Sequence, residues 1–182
     1  MSIDVKSLIR SIPDFPKPGI MFRDVTPIFG NGPGFVAAID WFDKTFIGDA
    51  PAGRRPMAIA GIESRGFIFG AALAARHALP FVPIRKAGKL PFTTVRAEYA
   101  LEYGQGVLEI HTDAVAPGAR VLLIDDLIAT GGTAAASVRL LREIGAEVVG
   151  AGFLIDLAFL KGTEKLAGVP TQSLVVYHDE NP

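Results

Sequence analysis

Two adjacent carboxylates, Asp125 and Asp126, end the apolar run "RVLLI" and are followed closely by "ATGGT", Ala129 to Thr133, before a helix-forming stretch begins. Ionised carboxylates only accept hydrogen bonds, so a pair of them suits two neighbouring donors such as the vicinal hydroxyls of a ribose ring. The glycines permit positive φ and close backbone approach, Thr130 and Thr133 add hydroxyls, and the next helix's first turn offers unpaired amides. That second set suits a phosphate monoester. Taken alone, an Asp-Asp pair more often caps a helix, and a Gly-Gly pair more often only turns the chain. The order apolar strand, acids, Thr-Gly-Gly-Thr, helix is what points to a sugar phosphate. A Walker A lysine is missing and no G-x-G-x-x-G follows a strand, which weighs against nucleoside triphosphate and dinucleotide sites.

Four further stretches carry chemistry. In "GIESRGF", Glu63, Ser64, Arg65 and Gly66 follow the strand-like "MAIAGI". Arg65 offers a planar fork of donors for phosphate oxygens, although a surface ion pair would use it equally well. In "IRKAGKLPF", Arg85, Lys86 and Lys89 lie close together, a pattern that is ordinarily just a solvated face. "LEYG" offers Glu102 and Tyr103, and "IMFRD" sets Phe22 between Met21 and Arg23. Phe22 can stack on a flat heterocycle whose edge the backbone at 21 and 23 reads, but an aromatic in this setting is more often core.

The elements that must position these groups follow from periodicity. "SIDVKSLIRSI" has near-helical apolar spacing and stops at Pro13, which predicts a short first helix. Residues 13–34 hold five prolines and four glycines together with Phe15, Met21 and Phe22, which predicts an ordered, partly buried loop. A helix at 35–47 and a strand at 57–62 come next. Then the pattern alternates: helix 66–78, strand 80–85, an excursion over 86–106, strand 107–111, strand 120–125, helix 132–144, strand 147–156, a helix-length segment 158–167 and a last strand 173–178. Short β-branched runs separated by helices predict parallel βαβ units with helices on both faces. In such sheets ligands bind beyond the carboxyl ends of strands, where Asp125 and Asp126 stand.

"VLLIDDLIATGGT" resembles the 5-phosphoribosyl pyrophosphate (PRPP) signature of type I phosphoribosyltransferases. "FPKPGIMFRDVTPI", "GIESRGFIFG", "IRKAGKLP" and "EYALEYGQGVLEIH" are similar, in the same order, to segments of the adenine-specific members of that family, so the resemblance spans residues 11–156. It implies one domain over 1–182 with the type I phosphoribosyltransferase fold: an α/β, mainly parallel sheet flanked by helices, a small N-terminal hood (1–34) that binds the base, and a flexible flap (86–106). It implies a reaction of PRPP with adenine to give AMP and pyrophosphate, assisted by Mg²⁺ held mainly by substrate and water rather than directly by side chains. Asp125, Asp126 and residues 129–133 (Ala129, Thr130, Gly131, Gly132, Thr133) would take the ribose and 5′-phosphate. Glu63, Ser64, Arg65, Gly66, Lys86 and Lys89 would face pyrophosphate, and Arg65 would assist its departure. Met21, Phe22 and Arg23 would bind adenine, Glu102 would hydrogen-bond or protonate its imidazole ring, and Tyr103 would belong to the flap. A cis peptide at Glu63-Ser64, a Lys89 loop shared across an interface and a homodimer are also implied. The rival readings are a 6-oxopurine enzyme, disfavoured because no lysine follows the acids before Lys161, and a non-catalytic PRPP-sensing regulator.

The bulk numbers narrow the rest. A chain of 182 residues can bury a real core, with 49% hydrophobic and 20% charged residues. A net charge of −1 gives no general attraction to nucleic acid or anionic membrane. The absence of cysteine excludes disulfides and thiol nucleophiles and suits a reducing compartment, and the three scattered histidines leave a zinc site little support. With Asp4, Lys6 and Arg10 in its N-terminal stretch and no apolar run long enough to span a bilayer, the chain is expected to be cytoplasmic.

Overall fold

The computed structural model describes residues 3–100 and 105–180. Its centre is a seven-stranded sheet. The strands are β3 (Ala58–Ile62), β4 (Phe81–Lys86), β5 (Thr94–Ala100), β6 (Gln105–His111), β7 (Arg120–Ile128), β8 (Glu147–Leu157) and β9 (Thr171–Tyr177), in the spatial order β5-β6-β4-β3-β7-β8-β9. The five strands from β4 through β9 in that order pair in parallel, and β5 and β6 add an antiparallel hairpin at one edge. A separate two-stranded ribbon pairs β1 (Arg10–Ile12) with β2 (Phe22–Asp24).

The central strands read as unbroken apolar runs because both their faces are covered. In β7, Val121 and Leu123 face a core shared with α4 (Gly132–Glu143), while Leu122 and Ile124 face a core shared with α2 (Gly32–Asp43) and α3 (Arg65–Arg76). On the second side Phe69 of α3 sits among Phe29, Phe35 and Phe42, with ring centres 5.2–5.8 Å away. Phe42 and Phe69, which are fully buried, each contribute about 1.5–3 kcal/mol.

Three expectations need correction. The first segment is a single 3₁₀ turn, Val5–Leu8, followed by β1, because its end, Arg10–Ile12, is claimed by a strand pairing with β2 while Val5 and Ile9 join the core. Residues 13–34 are not a continuous loop: they contain β2, the one-turn helix α1 (Thr26–Phe29) and the start of α2, which Asn31 caps by accepting from Gly34 N–H at 2.9 Å. Pro33 sits in the first turn of α2, where its missing N–H leaves no hydrogen bond unmade. The segment 158–167 forms 3₁₀ turns, Ala158–Leu160 and Gly162–Leu166, separated by Lys161 at φ 55. Within the excursion 86–106, Thr94–Ala100 form β5, which pairs with β6 over a seven-residue register.

Candidate active site

β7 outruns its neighbour. Its pairing with β3 ends at Gly61↔Ile124, while its pairing with β8 continues to Ile128↔Asp156. Asp125 and Asp126 therefore lie inside the strand, not at its end as expected, but on the stretch that runs past its pairing with β3. Asp126 is 5% exposed and its Oδ2 accepts from the Arg65 Nε–H at 2.5 Å. Asp125 Oδ1 accepts from the Asp126 backbone N–H at 2.9 Å. Burial, then the neighbouring Asp126 charge, push the Asp125 carboxyl well above the ordinary aspartate range. A carboxyl so placed gains from donors that arrive with a ligand.

The chain then turns into α4 through Gly131 at φ 74. A Cβ there would lie 2.1 Å from the carbonyl oxygen of Gly162, and a Cβ on Gly162 would lie 2.1 Å from the carbonyl oxygen of Ala129. The two glycines cross at backbone contact. No side chain caps α4, so its first amides face the loop, where residues 125 and 127–134 line a cavity of about 170 Å³. Amides at a helix start surrounding a small polar cavity suit a phosphate group. Ala129, Thr130, Gly131, Gly132 and Thr133 are thus brought together as expected, and Gly162 is a member that local pattern could not show.

A second cavity, of about 280 Å³, shares Asp125, Leu127 and Thr133 with the first and is completed by Ile62, Glu63, Ser64, Arg65, Lys86, Tyr99 and Asp126. The Glu63-Ser64 peptide is cis. Gly66 has a packing role, since a Cβ there would lie 2.7 Å from Asp125 Oδ1; any larger residue would push α3 off the strand. Glu63, with only 10% of its side chain exposed, accepts from Lys89 Nζ at 2.6 Å, Arg85 Nε at 3.2 Å and the Lys86 backbone N–H at 3.2 Å. Burial works to raise its pKa, but Lys89 and the Lys86 amide prevail and hold it below the ordinary glutamate range. Lys86 lines the cavity, while Lys89 is held by Glu63 of the same chain. Tyr99, which the sequence reading passed over, stands opposite Gly106 in the hairpin, its ring over that glycine. A tyrosine facing a glycine across a hairpin is the signal that would have found it.

The ribbon of β1 and β2 brings the third group. Phe22 meets Phe15 edge-on at 5.0 Å, and the Arg65 guanidinium lies 5.6 Å from the centre of the Phe22 ring. Arg65 thus touches Asp126 on one side and Phe22 on the other. The Arg23 side chain is buried, donating to Ser11 Oγ and lying 4.0 Å over the Tyr177 ring. Asp24 caps the following turn through Thr26, with hydrogen bonds of 2.9 and 2.8 Å. Burial opposes its charge, but Thr26 and the cations Arg10 and Arg65 keep its pKa below the usual range. Glu102 and Tyr103 lie outside the described residues.

Residues 29–166 match the family model of the phosphoribosyl transferase domain. An adenine phosphoribosyltransferase of Maricaulis maris is 54% identical over 177 residues, covering 96% of this chain and 98% of that protein. The crystal structure of adenine phosphoribosyltransferase from Thermoanaerobacter pseudethanolicus superposes with a TM-score of 0.89 at 47% identity, covering 95% of this chain and 98% of that one. The enzyme from Saccharomyces cerevisiae, solved with an imino-altritol bisphosphate and adenine, superposes with a TM-score of 0.86 at 39% identity, covering 93% and 96%.

Proposed function

The chain belongs to the phosphoribosyl transferase family, among its adenine phosphoribosyltransferases, and from that membership we propose how its residues move the 5-phosphoribosyl group of PRPP to adenine, giving AMP and pyrophosphate. The observation that supports this route best is a shared wall: the stretch Asp125–Thr133 borders both the phosphate-sized cavity and the cavity that holds Arg65 and Lys86. A sugar with phosphate groups at both ends fits two cavities joined by carboxylates.

In this reading the amides and hydroxyls of 129–133 take the 5′-phosphate and hold the sugar still. Asp125 and Asp126 accept hydrogen bonds from the ribose hydroxyls and favour positive charge growing on the ring. Arg65, Lys86 and Lys89 stabilise the departing pyrophosphate, and the amides of Ser64 to Gly66 add donors. Phe22 stacks on adenine while backbone groups at Met21 and Arg23 read its edge, and Glu102 supplies a proton or hydrogen bond to the imidazole ring. Residues 1–34 act as the hood over the base, and 86–106 as the flap that excludes water. Mg²⁺ would be held mainly by water and substrate oxygens rather than directly by side chains, since among the described residues no group of three or more His, Asp or Glu could hold a metal ion. When bound, the ion neutralises pyrophosphate charge. We place the enzyme in the cytoplasm as a homodimer, to be checked by sedimentation; among the described residues no helix is long and apolar enough to cross a membrane.

The deciding experiment is Mg²⁺-dependent pyrophosphate release from PRPP with adenine, hypoxanthine, guanine, xanthine and orotate side by side. Turnover with adenine alone is expected. Turnover with a 6-oxopurine would overturn the role given to residues 21–23, and PRPP binding without turnover on any base would make the protein a sensor.

A further inference from the structure

Beneath the basic loop at 86–90 lies a buried carboxylate that no role above accounts for. Glu109, in β6, is 1% exposed, and its Oε1 accepts from the backbone N–H of Lys89 at 2.9 Å and of Leu90 at 3.0 Å. Its cross-strand partners are arginines on both sides, Arg85 in β4 and Arg96 in β5. Arg96 Nε stands 3.3 Å from Oε2 yet makes no hydrogen bond to it, so that side of the carboxylate is neutralised by charge alone. Burial works to raise the pKa of Glu109, but the amides of Leu90, Gly88 and Lys89, and then the Arg96 charge, hold it below the ordinary glutamate range.

Successive backbone amides converging on an anion around a left-handed residue form a nest, a device commonly used to hold phosphate. Gly88, at φ 84, gives the loop that shape. Here the chain fills the nest with its own carboxylate. The amides of Lys89 and Leu90 are therefore engaged inward, and what this loop offers a ligand is its lysine side chains.

We propose that Glu109 is a positioning residue for pyrophosphate: by filling the nest at 88–90 it fixes where Lys86 and Lys89 leave the backbone, and through β5 it ties that loop to the hairpin carrying Tyr99. The inference rests on the functional reading above. A carboxylate that served the fold alone would, when altered, weaken every ligand in proportion. One that aims the two lysines weakens pyrophosphate selectively, because AMP presents nothing to them.

The test uses the full chain and the variant Glu109→Gln, which keeps an oxygen for Lys89 and Leu90 but turns an amide nitrogen toward Arg96 and removes the charge. Calorimetry measures affinity for pyrophosphate with Mg²⁺ and, separately, for AMP, while hydrogen exchange follows the amides at 88–90. Pyrophosphate affinity is expected to fall about tenfold, the factor set by one displaced charged contact, with AMP affinity within about twofold and faster exchange at Lys89 and Leu90. Gly88→Ala supplies an independent route, since no atom lies within 4 Å of a Cβ there and the only disturbance is to φ. It should show the same split, and the double variant should lose little more than either single one. Parallel loss of both ligands, or faster exchange with unchanged pyrophosphate affinity, would overturn the proposal. Failure of the unaltered protein to bind pyrophosphate while retaining its 88–90 protection would sink the functional reading with it.

Discussion

Asp125 and Asp126 are neighbours in one strand and differ in how they are held. Asp126 is neutralised by Arg65, whereas Asp125 sits against Gly66 with its pKa raised by burial and by Asp126. A group whose folded pKa exceeds its unfolded value, roughly 3.9 for aspartate, contributes stability at pH values below that value. The contribution is lost as pH rises through the raised value. Asp125→Asn, which keeps an oxygen for the Asp126 amide, should therefore raise Tm near pH 7 by about 2–4 °C, on the order of 1 kcal/mol. The gain should shrink toward pH ~4, where aspartate itself becomes protonated in both states. A uniform gain across that range in differential scanning fluorimetry would show that the Asp125 charge is not its source. Asp126→Asn leaves Arg65, 38% exposed, free to reach water, so its stability cost should be about 1 kcal/mol or less. Its turnover should fall on the order of 100-fold; a steady-state rate near that of the unaltered protein would remove Asp126 from the mechanism.

At the scale of elements, the loop at 129–133 is shaped as much by what lies behind it as by its own residues. Gly162→Ala would place a methyl 2.1 Å from the Ala129 carbonyl, so the loop or the 161–162 turn must move. Overpacking of this kind costs about 1–3 kcal/mol. The displacement should weaken AMP and ribose 5-phosphate by about 100-fold in calorimetry, with adenine alone unaffected; equal affinities would show that the turn is not the loop's support. The acids, the Thr-Gly-Gly-Thr turn and the "ESRG" loop were legible because each is a compact local pattern within or just after an apolar run. Gly162 and Glu109 were not, because their meaning lies in partners distant along the chain: Ala129 and Gly131, and the amides of Lys89 and Leu90. The first segment was misread for the same reason, since helical spacing over "SIDVKSLIRSI" gives no hint that Arg10–Ile12 will find β2.

Across the whole molecule, one sheet joins the two cavities: β3 leads to Arg65, β4 brings Lys86, the β5–β6 hairpin brings Tyr99 and Glu109, and β7 brings the acids and the loop at 129–133. A ligand bridging these strands should stabilise the fold as a unit. AMP at about a hundred times its Kd should add about 2.7 kcal/mol, or roughly 5–10 °C in Tm. Guanosine monophosphate should add far less if the ribbon of β1 and β2 reads the base, and equal shifts in thermal melts would argue that it does not. The crossing of Gly131 and Gly162 also bears on how the protein is made. Every residue assigned to the sugar phosphate has left the ribosome once Thr133 emerges, yet the turn that backs the loop is synthesised later. A nascent chain therefore carries the motif at 125–133 well before Gly162, the turn that backs it, has been made.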